Sequence, residues 1–198
     1  MQYPGPVNAL IQLLRGLPGV GSKSAARFAF ELLQWPQEQL EALGHALAQL
    51  KERLQPCTQC GCLAEDAACR FCDPSHRDQR LLCVVAHARD VYTLEPTRSY
   101  RGMYHVLGGL LSPLDGSWSH TLRIEQLKGR IEQNRTEEVV IALDSTLEGD
   151  ATALFLKRTL EGLPLRLTRL AFGIPLGSAL DYVDGTTLAR ALSGRNAF

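Results

Sequence analysis

Cysteine, glycine and acidic side chains at defined spacings mark where this sequence can do chemistry. Cys57-Thr58-Gln59-Cys60 and Cys69-Arg70-Phe71-Cys72 are two CxxC pairs with eight residues between them. Each pair closes a tight knuckle, and two such knuckles can bring four thiolates onto one tetrahedral zinc ion. Gly61 follows the first pair and can take a positive φ, which helps turn amide groups toward the sulfurs. The competing readings are a redox CxxC, expected beside a thioredoxin-like βαβ unit, and thiols buried by accident. With all four positions taken by thiolate no site stays open for water, so one Zn²⁺ per chain would hold a small lobe together rather than catalyse. Cys62 and Cys83 read as ordinary buried thiols, Cys62 because it would spoil the knuckle spacing and Cys83 because it sits in an apparent strand.

A second constellation is Leu17-Pro18-Gly19-Val20-Gly21-Ser22-Lys23-Ser24-Ala25-Ala26-Arg27. Gly19 and Gly21 lie in a turn that opens a helix, where backbone N–H groups can face a phosphate. Lys23 and Arg27, four apart, fall on one face of that helix, and together with the dipole they favour a DNA backbone without reading bases. The run resembles a helix-hairpin-helix motif. Its bland alternative is a tight αα-turn with two solvated cations. One such motif contacts few phosphates, so useful affinity calls for several copies and hence an oligomer.

A third cluster, Asp144, Glu148 and Asp150, follows an apolar strand-like run and precedes a helical one, where open α/β sheets place functional groups. Metal-assisted phosphoryl chemistry would need converging carboxylates at this point. Residues 142–151 resemble the acidic motif of Toprim domains, with two departures. Thr146 stands where cleaving and synthesising Toprim families carry a second aspartate, and Ala86 where the Toprim glutamate would end the first strand. Helix capping and dipole stabilisation are the alternative role for Glu148 and Asp150.

These residues need scaffolds to hold them. Val7, Leu10, Ile11, Leu14 and Leu17 recur at helical spacing and stop at Pro18-Gly19. A second helix, with Ser22 as its expected N-cap, runs from there to Leu33 before Trp35-Pro36. Leu40, Leu43, Leu47, Leu50 and Leu54 predict a third, core-facing helix, with a short coiled-coil seam as the alternative. The runs around Val84 and at 139–143 read as buried strands, and Leu165 to Phe172 as another. Leu122 to Ile131 and Ala151 to Leu160 show helical spacing. Strands alternating with helices imply a largely parallel sheet, so the fold class is α/β with several modules. The expected modules are residues 1–55, 56–77, 78–173 and 174–198.

The 198 residues are 45% hydrophobic and 21% charged, the balance of a folded protein. Twenty-one basic residues offset twenty-one acidic ones, so DNA attraction must come from a local surface. No apolar run approaches the roughly 20 residues needed to cross a bilayer. No export signal is visible at Met1-Gln2-Tyr3-Pro4, which places the chain in a reducing cytoplasm, where paired thiols more often hold metal.

Taken in order, the parts resemble the bacterial RecR family of recombination mediators over nearly the whole chain. Tyr100 to Gly109, Ser112-Pro113-Leu114-Asp115-Gly116 and Gly173-Ile174-Pro175-Leu176-Gly177 add to the likeness. Ala86, Ser178 and Asp181 depart from residues common in that family. The resemblance implies a non-enzymatic, ring-shaped homotetramer that encircles DNA. It also implies work with RecO, and in some settings RecF, to load RecA on DNA covered by single-strand-binding protein. Asp144, Glu148 and Asp150 would then meet a basic partner, and the protein would join the nucleoid when bound to DNA. The rival is a magnesium-dependent Toprim nuclease or primase-like enzyme. No catalytic role falls to His105, which reads as a hydrogen-bonded structural histidine.

Overall fold

The computed structural model describes residues 3–65, 69–112 and 122–195; the segment 113–116 singled out above lies outside them. The chain divides into two compact units, Met1–Arg53 and Leu54–Phe198.

In the first unit, α1 (Gly5–Arg15) and α2 (Ser22–Leu32) form a pair. The apolar positions at helical spacing meet in a small core of Ile11, Ala25 and Ala29, with Val7, Leu10, Leu14 and Val20 around it. Two alanines at its centre let the helix backbones approach closely. The expected cap is displaced by one residue. Gly21, extended at φ −80°, is the N-cap, and Ser22 is the first helical residue. The third helix, α3 (Gln37–Arg53), departs further from expectation: none of its residues is buried. Its leucine stripe is left largely open: Leu40 is half-buried, whereas Leu47 stays 65% exposed. Leu54 lies beyond the helix and opens a strand.

The second unit begins with a two-stranded antiparallel ribbon, β1 (Leu54–Pro56) and β2 (Leu63–Glu65), which carries the first cysteine knuckle between its strands. There follow β3 (Asp78–Val85), α4 (Ala88–Leu94), β4 (Gly102–Val106), α5 (Ile124–Asn134), β5 (Glu138–Ala142), α6 (Leu147–Thr159), β6 (Arg166–Arg169) and α7 (Gly185–Ser193). Four strands make a parallel sheet in the order β4-β3-β5-β6. Alternation along β3 explains its unbroken apolar run. Leu82, Val84 and Ala86 pack on one face with α5 and α6, while Cys83 and Val85 pack on the other with Val91 and the cysteine lobe. A strand covered on both faces has no polar side to show. Parallel pairing sets Val85 opposite Ala142, so Ala86 and Asp144 follow the C-terminal ends of the two central strands, on the same side of the sheet's end.

Candidate metal centre and nucleic-acid interface

Cys57, Cys60, Cys69 and Cys72 converge, with all four Sγ atoms within 4.8 Å of one another. Cys60 and Cys69 are 3.4 Å apart, Cys57 and Cys72 3.9 Å. Four sulfurs at the usual metal–thiolate distance on a tetrahedron are separated by about 3.8 Å, so the cluster fits one tetrahedral ion. Cys62 and Cys83 stay outside it. Burial pushes the Cys83 thiol up to about 12, which leaves it protonated. Contact with Cys62 above all, then with Cys69 and Cys72, holds the Cys60 thiol well below its ordinary value. The same contacts push the Cys62, Cys69 and Cys72 thiols up, so the crowded set carries one ready thiolate and needs a bound cation to ionise the other ligands.

The local sequence builds this geometry. Gly61 adopts φ 76°, and a Cβ there would meet Arg123 Nη1 at 2.3 Å. The turn is closed by the Gly61 N–H on the Cys57 carbonyl at 2.9 Å and the Cys57 N–H on the Cys62 carbonyl at 2.7 Å. It also aims the Cys62 N–H at Cys60 Sγ, 3.4 Å away. The knuckle is then tied to the sheet. The Val106 N–H donates to the Cys60 carbonyl at 2.7 Å, and Arg123 donates to the carbonyls of Cys57 and Thr58.

Arg130 is the residue the sequence did not point to. Only 7% exposed, it donates through Nη1 to the Tyr104 carbonyl at 2.6 Å, with Nη2 3.8 Å from Cys72 Sγ. Among the described residues no carboxylate lies within ion-pairing distance of it. A buried cation without a partner is costly. A divalent ion held by four thiolates carries two net negative charges and supplies the missing counter-charge. Arg130 falls on the apolar-looking face of α5 between Leu127 and Ile131, and a lone arginine at such a position is legible only once its neighbour is known.

At the α1–α2 turn, Gly19 takes φ 78°, a conformation that glycine adopts without strain. Gly21 caps α2, and Lys23 and Arg27 both stand exposed on it. Arg27 lies 5.7 Å from the centre of the Phe28 ring. The turn therefore offers backbone N–H groups at a helix start with two exposed cations nearby.

The acidic cluster is divided by its contacts. Asp144 is exposed and Glu148 half-buried at the N-terminal end of α6. The Thr146 hydroxyl accepts from the Gly149 N–H at 3.1 Å and so caps α6. Asp150 is engaged on both oxygens, by Arg169 at 2.5 Å and Arg190 at 2.9 Å, and Arg169 first, then Arg190, holds its carboxyl below the usual range. Ala86, fully buried just past the C-terminal end of β3, offers no side-chain oxygen as a ligand. His105 is buried in β4, with Nε2 2.9 Å from the Arg123 carbonyl oxygen, and burial lowers its pKa to about 4. It is a neutral structural imidazole.

The comparisons with known proteins agree with this organisation. Family models described as RecR, helix-hairpin-helix, as Toprim domain and as RecR, C-terminal match residues 7–51, 80–171 and 173–196. Proteins named Recombination protein RecR match over their full length and that of this chain: 55% identical in Protochlamydia amoebophila, 48% in Chlamydia caviae and 47% in Chlamydia trachomatis serovar D. With the helix-hairpin-helix, four-cysteine and Toprim parts in that order and this identity throughout, the chain belongs to the RecR family of recombination proteins.

Proposed function

We propose that this protein is a DNA-binding recombination mediator in DNA repair that performs no covalent chemistry. The observation that carries the reading is the α1–α2 turn, where Gly19 and Gly21 present a helix start to solvent beside exposed Lys23 and Arg27. Such a surface binds phosphate without reading sequence. Residues 1–55 are the DNA-binding region, and Cys57, Cys60, Cys69 and Cys72 hold one structural Zn²⁺ in the lobe 56–77. A Toprim domain follows at 78–173, with a C-terminal segment at 174–198.

On a chain with no net charge, several copies of Lys23 and Arg27 must act together to hold DNA. A ring-shaped homotetramer meets that need, and the uncovered stripe of Leu43, Leu47 and Leu50 on α3 supports self-association. The mediator works with RecO, and in some settings RecF, to load RecA on DNA covered by single-strand-binding protein, in the cytoplasm and on the nucleoid. Asp144 and Glu148 offer a basic partner their carboxylates, whereas Asp150 does so only if Arg169 and Arg190 release it. Absence of an oxygen at Ala86 and the capping role of Thr146 argue against the magnesium-dependent Toprim enzyme.

Fluorescence anisotropy on labelled DNA tests the reading. Lys23→Ala with Arg27→Ala should weaken binding alike for all sequences and flatten its salt dependence. Unchanged affinity in that variant, or sustained strand cleavage by the parent in magnesium or manganese, would contradict it.

A further inference from the structure

We propose that the concave surface between the cysteine lobe and the turn after α4 is a second phosphate-binding site, one that takes the backbone of single-stranded DNA. It is a cavity of about 690 Å³ whose lining includes Arg70, Arg77, Arg98 and Arg101 against Asp73 and Glu95. Both carboxylates have partners, Glu95 through Oε1 alone. Asp73 accepts from the Ser75 N–H and hydroxyl and lies 2.9 Å from His76 Nδ1. Glu95 accepts from Arg77 at 2.5 Å. Arg70, Arg98 and Arg101 are exposed, and none has a described carboxylate within 4.0 Å. A protein whose charges cancel overall thus concentrates around one hollow three guanidinium groups that no described carboxylate pairs.

The site is stiffened from beneath. The fully buried Phe71 ring contacts both Arg70 and Arg77, whose guanidinium carbons sit 4.7 and 5.3 Å from its centre. Tyr92 packs edge-on against Phe71, stays 42% exposed and lies 5.8 Å from Arg70. Guanidinium groups pair with phosphate through two parallel hydrogen bonds. Tyr92 does not line the hollow itself but neighbours Arg70, and an exposed ring there is the second element of a single-strand site, because any base can stack on it. An acidic peptide would match the charge and leave the tyrosine unused. This surface belongs to the second unit, so it is independent of Lys23 and Arg27; the wider reading as a DNA-binding protein guides only the choice of probe.

The test uses the full-length protein with a fluorescein-labelled oligothymidylate, titrated across salt concentrations. Arg98→Ala with Arg101→Ala removes two exposed side chains, and an unchanged melting temperature verifies the fold. At about 0.7 per phosphate contact on a single strand, the slope of log K against log salt should shrink by about 1.4. The same loss should appear in the Lys23→Ala, Arg27→Ala background, so the inference can stand when the first site fails, and the reverse. Tyr92→Ala should weaken binding without changing the slope. An unchanged slope in the arginine variant would overturn the proposal. So would displacement of the strand by inorganic phosphate or polyglutamate, at matched ionic strength, far beyond that by chloride, since that would mark a free-anion or acidic-peptide site.

Discussion

Replacing Arg130 with methionine isolates the electrostatic support of the metal centre. Methionine keeps a straight apolar chain in the gap beside Met103 and removes the charge 3.8 Å from Cys72 Sγ. Two opposite unit charges about 4 Å apart attract by about 4 kcal/mol at an effective dielectric constant of about 20. Desolvating the guanidinium costs several kcal/mol of its own, so the net gain is smaller than the attraction. Groups that support metal ligands from behind typically contribute about 10- to 100-fold in metal affinity, and Arg130→Met should fall in that range. Competition with a chromogenic zinc chelator measures it directly. Arg130→Lys, which keeps the charge, should recover most of the loss, and the shortfall reports the bond to the Tyr104 carbonyl. A methionine variant that holds zinc as tightly as the parent would refute the charge argument.

Three further outcomes follow from the same contacts. Fold stability should fall by about 2 kcal/mol between pH 7 and pH 5 through His105 alone, since the unfolded imidazole takes up a proton near 6.5 and the folded one only near 4. The contribution is complete above the unfolded value and is lost as pH falls; denaturant titrations of the parent and His105→Phe at both pH values should differ by that amount. Gly149→Ala places a Cβ 1.9 Å from the Asp144 carbonyl oxygen and should lower stability by about 1–3 kcal/mol or more, read as a reduced melting temperature. Asp150→Asn weakens the bridges to Arg169 and Arg190, and trypsin should then cut after Arg190 faster than in the parent.

The cysteine centre was legible because ligand spacing is local: two CxxC knuckles fold the same way wherever they lie in a chain. The strands around Val84 and at 139–143 were legible because burial on both faces leaves an apolar run. Arg130 was not, because its role depends on a contact 58 residues away in sequence. The strand at Gly102–Val106 was also missed, since its five residues include His105 and start at glycine, yet all are buried. The helix 37–53 shows the opposite failure. Its leucines carry the periodicity of a buried face, but periodicity does not say which surface will cover it, and none of the helix's residues is buried.

The proposed role of this protein is to mediate recombinase loading. Its most direct test is the rate of RecA filament formation on single-stranded DNA pre-coated with single-strand-binding protein, in the presence of RecO. The parent should accelerate assembly, and the Lys23→Ala, Arg27→Ala variant should lose most of that acceleration while keeping its zinc. No acceleration by the parent, or full acceleration by the variant, would contradict the account.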